Sequence, residues 1–290
     1  MEYLQNKIIK YYGLDVAKEV LETFKISKPL TLRVNTSKTD VNNILKVLDE
    51  NKISYERLDW YDDALVIKSE RDIRELDIYK KGEIYVQNLS SMLPPLILEP
   101  KENETILDMA AAPGGKTLEI YNLSNGKALI TACERNKIRL EILKYNIEKQ
   151  GGHRIGVINK DARELDEYFK FDKILLDAPC TGSGTLSSVD NHEVTEKLLN
   201  MTTKLQKDMF EKAYKLLKSG GEIVYSTCSI LKEENENIVK PYIDENLLKV
   251  IPIDIERFQN IPKLNTQIKG SICVKPTKNY EGFFVIKLKK

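Results

Sequence analysis

From Thr105 onward, short apolar runs alternate with stretches of helical period, and several of the runs close on an acidic residue. Thr105 to Met109 reads as a strand with Asp108 near its end, and a helix follows from about Lys116. Ala128 to Cys133 is the next strand, ending before Glu134, and a helix runs from about Asn136 to Lys149. Ile155 to Ile158 and Lys173 to Leu176 make the third and fourth strands, with Asp161 and Asp177 just beyond them. Leu198, Leu205, Met209, Ala213, Leu216 and Leu217 mark one face of a helix that Ser219-Gly220-Gly221 is expected to stop. Glu222 to Tyr225 leads into Ser226-Thr227-Cys228-Ser229, and Phe283 to Leu288 is a final strand. Repeated βα units imply an α/β fold, a parallel sheet with helices on both faces. Ligands of such sheets sit outside the carboxyl ends of the strands. Asp108, Glu134, Asp161, Asp177 and Cys228 are therefore expected in one crevice.

Residues 1–85 read differently from 86–290. Leu4 to Phe24 has helical period, Leu30 to Val34 and Ala64 to Ile67 read as strands, and Val41, Ile44, Leu45 and Leu48 recur at helical spacing. This is a small N-terminal α+β unit with a boundary around Lys80-Lys81-Gly82. The 290 residues suffice for a core domain of about 200 residues plus such an appendage. No apolar stretch approaches the ~20 residues that span a bilayer. Met1 to Lys10 is charged throughout and carries no signal-peptide core, so a cytoplasmic protein is expected. Cys133, Cys180, Cys228 and Cys273 form no CxxC, and His153 and His192 are not spaced as ligands. Neither a disulfide framework nor a metal site is expected. The formal net charge of +1 shows no basic excess, so a nucleic-acid partner must be argued from chemistry.

The strand that ends near Asp108 runs into Met109-Ala110-Ala111-Ala112-Pro113-Gly114-Gly115-Lys116-Thr117. Small residues and glycines after a strand let the backbone approach a ligand. One chemistry is a P-loop ATPase: Ala110 to Thr117 fits a relaxed Walker A pattern, and Lys173 to Asp177 resembles a Walker B strand. Against it, Ala110 carries a Cβ where the loop turns, and Asp108 would stand near phosphates. The other is binding of S-adenosylmethionine. There Glu134, at the end of the next strand, accepts hydrogen bonds from the ribose hydroxyls, and Asp161 meets the adenine amino group.

Asp177-Ala178-Pro179-Cys180 and Ser226-Thr227-Cys228-Ser229 put one cysteine past each of two strand ends. A buried, inert thiol is the ordinary condition of a single cysteine. Two of them facing a cofactor crevice have a chemical use. Carbon 5 of cytosine is a poor nucleophile, and a thiolate adding to carbon 6 makes it an enamine carbon that attacks a methyl electrophile. Asp177 is the candidate carboxyl for ring nitrogen 3, and a second thiol could assist elimination. Spacing does not assign the two sulfurs their roles.

With these motifs, the chain resembles the Sun/Fmu family of RNA cytosine-5 methyltransferases. The carrying residues are Asp108 to Thr117, Glu134 with Arg139, Asp161-Ala162-Arg163, Asp177 to Gly184, Ser226 to Ser229 and Gly282-Phe283-Phe284, with Gln87 to Met92 and Leu32-Arg33-Val34-Asn35 ahead of them. The resemblance implies a Rossmann-like class I methyltransferase sheet and a small domain similar to an RNA-recognition motif. It implies S-adenosylmethionine as cofactor and RNA, ribosomal or transfer, as partner. It implies that Cys228 is the nucleophile and that Cys180 aids release; related DNA enzymes use a Pro-Cys nucleophile instead. Ala110, Ala111, Ala112, Pro113, Gly114, Gly115, Lys116, Glu134, Asp161, Asp177 and Arg139 carry over as cofactor contacts. One departure stands out. After Gly184 the family usually has basic residues and a His-Pro, whereas here the run is Thr185 to Glu193 with His192 inside it.

Overall fold

The computed structural model describes residues 2–69, 72–187 and 193–290. Helices α1 (Glu2–Tyr12) and α2 (Leu14–Thr23) occupy the stretch expected as one helix. Gly13 separates them at φ 88°, a conformation open to glycine at little cost. Strand β1 (Thr31–Val34), helix α3 (Val41–Glu50), strands β2 (Tyr55–Arg57) and β3 (Ala64–Ile67), helix α4 (Asp77–Lys80) and strand β4 (Ile84–Val86) follow. Asp40 caps α3 by accepting from the Asn43 N–H. The four strands form an antiparallel sheet in the order β2-β3-β1-β4. Val34, Ile44, Leu48, Leu65 and Ile84 make its own core.

Helix α5 (Leu89–Leu98) bridges to the larger unit of strands β5 (Thr105–Asp108), β6 (Leu129–Cys133), β7 (Ile155–Ile158), β8 (Phe171–Asp177) and β9 (Leu217–Thr227) with helices α6 (Gly115–Leu123), α7 (Lys137–Gln150) and α8 (Glu196–Leu216). Helix α9 (Glu236–Asp244) and strands β10 (Lys249–Ile251), β11 (Lys263–Leu264), β12 (Ile272–Val274) and β13 (Phe283–Lys289) complete it. The sheet order is β11-β12-β13-β9-β8-β5-β6-β7, with β10 on β13. Successive residues of the inner strands enter opposite cores. Ile174, Leu176 and Tyr225 face Met209, Phe210 and Ala213 of α8. Leu175 and Val224 face Leu93 of α5 and Ile120 of α6. Burial on both faces is what near-continuous apolar strands require.

Two expectations need correction. The sheet is mixed, not parallel throughout: β5 to β9 pair in parallel, but β13 runs antiparallel to β9. Strand β12 runs in the same direction as β9, since both pair antiparallel with β13, and it passes to β13 through a short connection in which the Gly282 N–H donates to the Gly184 carbonyl. A short connection between neighbouring strands gives an antiparallel pair. Ser219-Gly220-Gly221 does not end α8; it lies inside β9. Gly220 takes φ 75°, and a Cβ on Gly221 would stand 2.9 Å from the Asp172 carbonyl oxygen. The register between β8 and β9 shifts at that place, so the glycines serve an irregular strand start.

Helices α1 and α2 pack on the larger unit. Leu4, Ile8, Ala17 and Val20 are buried in the same core as Phe284 and Ile286. Burial of Leu4, Ile8 and Val20 is worth roughly 1.5–3 kcal/mol each. Between the two sheets lies a buried polar cluster. Gln87 Nε2 donates to Glu119 Oε2 at 2.8 Å, and Arg33 Nε stands 3.8 Å from the same oxygen. Burial pushes the Glu119 carboxyl up to about 8 against the pull of Arg33. Among the described residues, no helix is long and apolar enough to cross a membrane.

Candidate active site

Chain order reverses in the sheet between β5 and β8: β5, β6 and β7 step one way, β8 and β9 the other. Loops part at such a switch and leave a crevice. Asp108 ends β5 and Asp177 ends β8, so both stand at its mouth.

The loop after β5 is fastened at its start. The Met109 N–H donates to Leu175 O at 3.0 Å and the Ala111 N–H to Cys133 O at 2.9 Å. Asp108 is buried; its carboxylate accepts from Thr117 Oγ1 at 2.7 Å and from the Ala110 N–H at 3.3 Å. Burial pushes its carboxyl up to about 6 despite those bonds. Asp108 thus braces the two ends of the loop. Pro113 and Ala112 are held from α7: Asn146 Nδ2 donates to Pro113 O at 2.8 Å, and Arg139 Nη2 to Ala112 O at 2.6 Å. Gly114 turns the chain at φ 113°, and a Cβ on Gly115 would stand 3.0 Å from the Tyr85 ring. A side chain at Gly115 would enter the cradle, and one at Gly114 would press on Leu143 at 3.0 Å.

Two neighbouring cavities open here, sharing Ala110 and Arg139. The first is lined by Met109, Glu134, Asp161, Pro179, Leu205 and Met209 among others. Glu134 is buried, with Oε1 accepting from the Asn136 N–H at 2.8 Å and Oε2 3.6 Å from Arg139 Nη1. Asp161 accepts from the Arg163 N–H and guanidinium, which hold its carboxyl down to about 2. Apolar walls with two acidic acceptors suit a nucleoside.

The second cavity is lined by Ala110 to Pro113, Gly115, Lys116, Asp177, Cys228, Glu281 and Phe283, with Gln87 and Thr185 at its rim. Lys116 Nζ pairs with Asp177 Oδ2 at 2.7 Å and lies 5.6 Å above the Phe283 ring. Ser226 Oγ donates to Asp177 Oδ1 at 2.7 Å. Because β8 and β9 pair, the loops beyond them run side by side. Cys180 Sγ and Cys228 Sγ are 2.8 Å apart, in direct contact, and both cysteines are free and half-buried. The contact with Cys228, and then burial, push the Cys180 thiol well up. Cys133 is buried at the wall of the first cavity, and Cys273 is buried in the core away from both cavities. All the sequence-expected site residues except Gly114 and Cys180 line one of the two cavities, and those two flank the second. Residues 188–192, most of the atypical loop and His192 with it, lie outside the described residues.

The family model described as 16S rRNA methyltransferase RsmB/F matches residues 95–289. The chain belongs to the RsmB/F methyltransferase family. A second model, described as an RsmF/B-like, ferredoxin-like domain, matches residues 2–74. Among curated relatives, the RsmB/F chain is 33% identical to the 28S rRNA (cytosine-C(5))-methyltransferase of Mus musculus, over 100% of this chain and 38% of that protein. It is 34% identical to the ribosomal RNA small subunit methyltransferase F of Shewanella piezotolerans, over 91% of this chain and 58% of that one. A tRNA (cytosine(72)-C(5))-methyltransferase of Pyrococcus horikoshii is 43% identical over 58% of this chain and 43% of its own length. The chain thus spans about half, or less, of the length of these relatives. The solved structure of NSun6 from P. horikoshii with SFG superposes with a TM-score of 0.89 at 25% identity, over 99% of this chain and 97% of that one. A methyltransferase homolog protein from the same organism gives 0.86 at 29%, over 100% and 99%.

Several residues of the RsmB/F site escape sequence reading. Glu233-Glu234-Asn235-Glu236 looks like a solvated charge run, yet Glu234 and Asn235 are fully buried. The one available signal is their position just after the Thr-Cys turn. Gly184 is another: its N–H donates to Cys228 O at 3.0 Å, and its carbonyl accepts from Gly282. A Cβ there would stand 2.2 Å from the Gly282 carbonyl oxygen. Gly184→Ala is therefore expected to cost about 1–3 kcal/mol of stability through backbone overlap. A urea denaturation midpoint equal to that of the unaltered chain would contradict this contact.

Proposed function

We propose that this chain transfers a methyl group from S-adenosylmethionine to carbon 5 of a cytosine in RNA, ribosomal or transfer, through a covalent bond from Cys228 to cytosine carbon 6. The observation that carries the reading is the pair of sulfurs 2.8 Å apart at the ends of β8 and β9, beside the Lys116–Asp177 pair. Methylation of an exocyclic amine needs no thiol; a carbon-5 acceptor does.

The cofactor fits the first cavity by its donor set. Glu134 offers a buried acceptor for the ribose hydroxyls, Asp161 an acceptor for the adenine amino group, and Met109, Pro179 and Met209 apolar surface for the ring. Ala110 to Lys116 would hold the amino-acid end, and Arg139 braces both Glu134 and Ala112. When bound, S-adenosylmethionine supplies an electrophilic methyl group. A triphosphate on the same loop would meet the Asp108 carboxyl at its root and find Lys116 already paired with Asp177.

In the second cavity, Lys116 donates hydrogen bonds and Asp177 accepts them. A cytosine edge presents the complement, acceptors at O2 and N3 and a donor at N4. Such a base must be unstacked to enter. The Cys228 thiolate adds to carbon 6, the carbon 5–carbon 6 electron pair moves to carbon 5, and carbon 5 takes the methyl group as the bond from methyl to the cofactor's sulfonium sulfur breaks, its electron pair leaving that sulfur a neutral thioether. The carbon-5 proton then leaves to water, the double bond re-forms, and the carbon 6–sulfur bond breaks. Cys180, as a thiol in contact with Cys228 Sγ, stabilises the departing thiolate. Residues 1–85, with the sheet of β1 to β4, would position the RNA backbone, and 86–290 would carry the chemistry.

Calorimetry with S-adenosylmethionine and with ATP tests the reading at its root: binding of the first and not the second is expected, and the reverse would return the loop to the ATPase alternative. Glu134→Ala should weaken the cofactor by roughly 1.5–3 kcal/mol for each ribose bond to the charged acceptor. Unchanged affinity would remove Glu134 from the site. Bisulfite sequencing of total RNA with and without the gene then identifies the nucleotide.

A further inference from the structure

The loop that follows Cys228 returns a buried carboxylate to the neighbourhood of Cys180. Glu234 is 0% exposed. Its Oε1 accepts from the Thr181 N–H at 2.8 Å, from Thr202 Oγ1 at 2.7 Å and from Gln206 Nε2 at 3.1 Å. Its Oε2 accepts from Thr181 Oγ1 at 2.6 Å. These donors are all neutral, and they come from the residue after Cys180 and from α8. Asn235 completes the tie on the other side: Thr227 Oγ1 donates to Asn235 Oδ1 at 2.5 Å, and Asn235 Nδ2 to Ser229 O at 3.0 Å. Adjacent residues therefore hold the Thr227 hydroxyl and the Ser229 carbonyl, on either side of Cys228, and the Thr181 N–H just beyond Cys180.

We infer that Glu234 is a positioning residue that makes Cys180 the assisting sulfur: it binds the Cys180 loop to the Cys228 loop and sets a negative charge beside Cys180. The inference rests on the reading in which Cys228 attacks and Cys180 assists. The chemistry of that division needs Cys180 as an S–H donor, because its thiolate form has no hydrogen to give to the sulfur leaving carbon 6. A buried carboxylate disfavours a second negative charge nearby. Cys228 lies at 2.8 Å from the end of β9, Glu234 comes from the loop behind, and the Tyr225 hydroxyl donates to Glu234 O at 2.6 Å. From α8 the neutral Gln206 donates to Pro179 O at 2.9 Å. Lys116, which lines the second cavity with Cys228, is taken up by Asp177. The contact with Cys228 and burial raise the Cys180 thiol first, and Glu234 adds to them.

The test is iodoacetamide labelling of Cys180 against pH, read by mass spectrometry, in a Cys228→Ser background where one thiol of the pair titrates. It uses neither RNA nor methyl transfer, so its outcome is separate from that of the methyltransferase reading. The Cys180 midpoint is expected above the ordinary thiol value of about 8.5. Glu234→Gln, which keeps the shape and removes the charge, should bring it down by about 1 pH unit. Glu234→Asp, which keeps the charge, should hold it. An unmoved midpoint in Glu234→Gln overturns the inference. So does an equal fall in Glu234→Asp, which would mean that loosening the loop, not charge, matters. If Glu234→Gln does not fold, the background variant alone decides: a midpoint at or below about 8.5 overturns it.

Discussion

Cys228→Ala is expected to lower methyl transfer to RNA by at least about 10⁴-fold, the order of loss seen when a covalent nucleophile is removed. The neighbouring sulfur does not substitute. Cys180 is 2.8 Å away, but its thiol is pushed well up and is held outside the cavity lining. The substitution should leave the fold intact, because Cys228 is half-buried at the tip of β9 and its backbone is gripped by Gly184. Single-turnover transfer from labelled cofactor, with calorimetric cofactor binding as the control, measures the effect. Transfer within 10-fold of the unaltered chain, at equal cofactor affinity, would sink the covalent route.

Cys180→Ala should behave in the opposite way. Attack is preserved because Cys228 remains, and elimination slows because the departing sulfur loses its hydrogen-bond donor. Loss of one hydrogen-bond donor to a developing anion is worth about 10²–10³-fold, so turnover should fall by that order. The variant should accumulate a protein–RNA adduct that survives denaturing electrophoresis, and the double variant should form none. An adduct in Cys228→Ala and none in Cys180→Ala would exchange the roles of the two sulfurs and give the arrangement of the DNA enzymes.

The inner part of the sheet was legible because its strands are apolar, short and closed by acids. Asp108, Glu134 and Asp177 sit at or next to strand ends, and the pairing of β8 with β9 brings the two cysteine turns together. The irregular parts were not legible. Leu89–Leu98 carries Pro94 and Pro95 and still forms α5, since tertiary burial overrides propensity. Ser219 to Gly221 carries the residues of a helix stop but serves a bulged strand start. The direction of β13 follows from the short strand β12 just before it, whose three residues are too few to show a pattern. Glu234 reads as surface charge because its four partners are scattered over Thr181, Thr202 and Gln206. The ion pair of Lys116 with Asp177 joins residues far apart in sequence, so Lys116 read as a cofactor-loop residue alone.

The most direct measurement of the central claim uses RNA carrying tritium on carbon 5 of its cytidines. Methylation at that carbon must break the carbon 5–hydrogen bond. Incubation with the unaltered chain and S-adenosylmethionine is predicted to release tritium to water in one-to-one proportion with methyl groups incorporated, and Cys228→Ala should release none. Methyl incorporation with the tritium retained in the RNA would place the methyl on another atom and contradict the account.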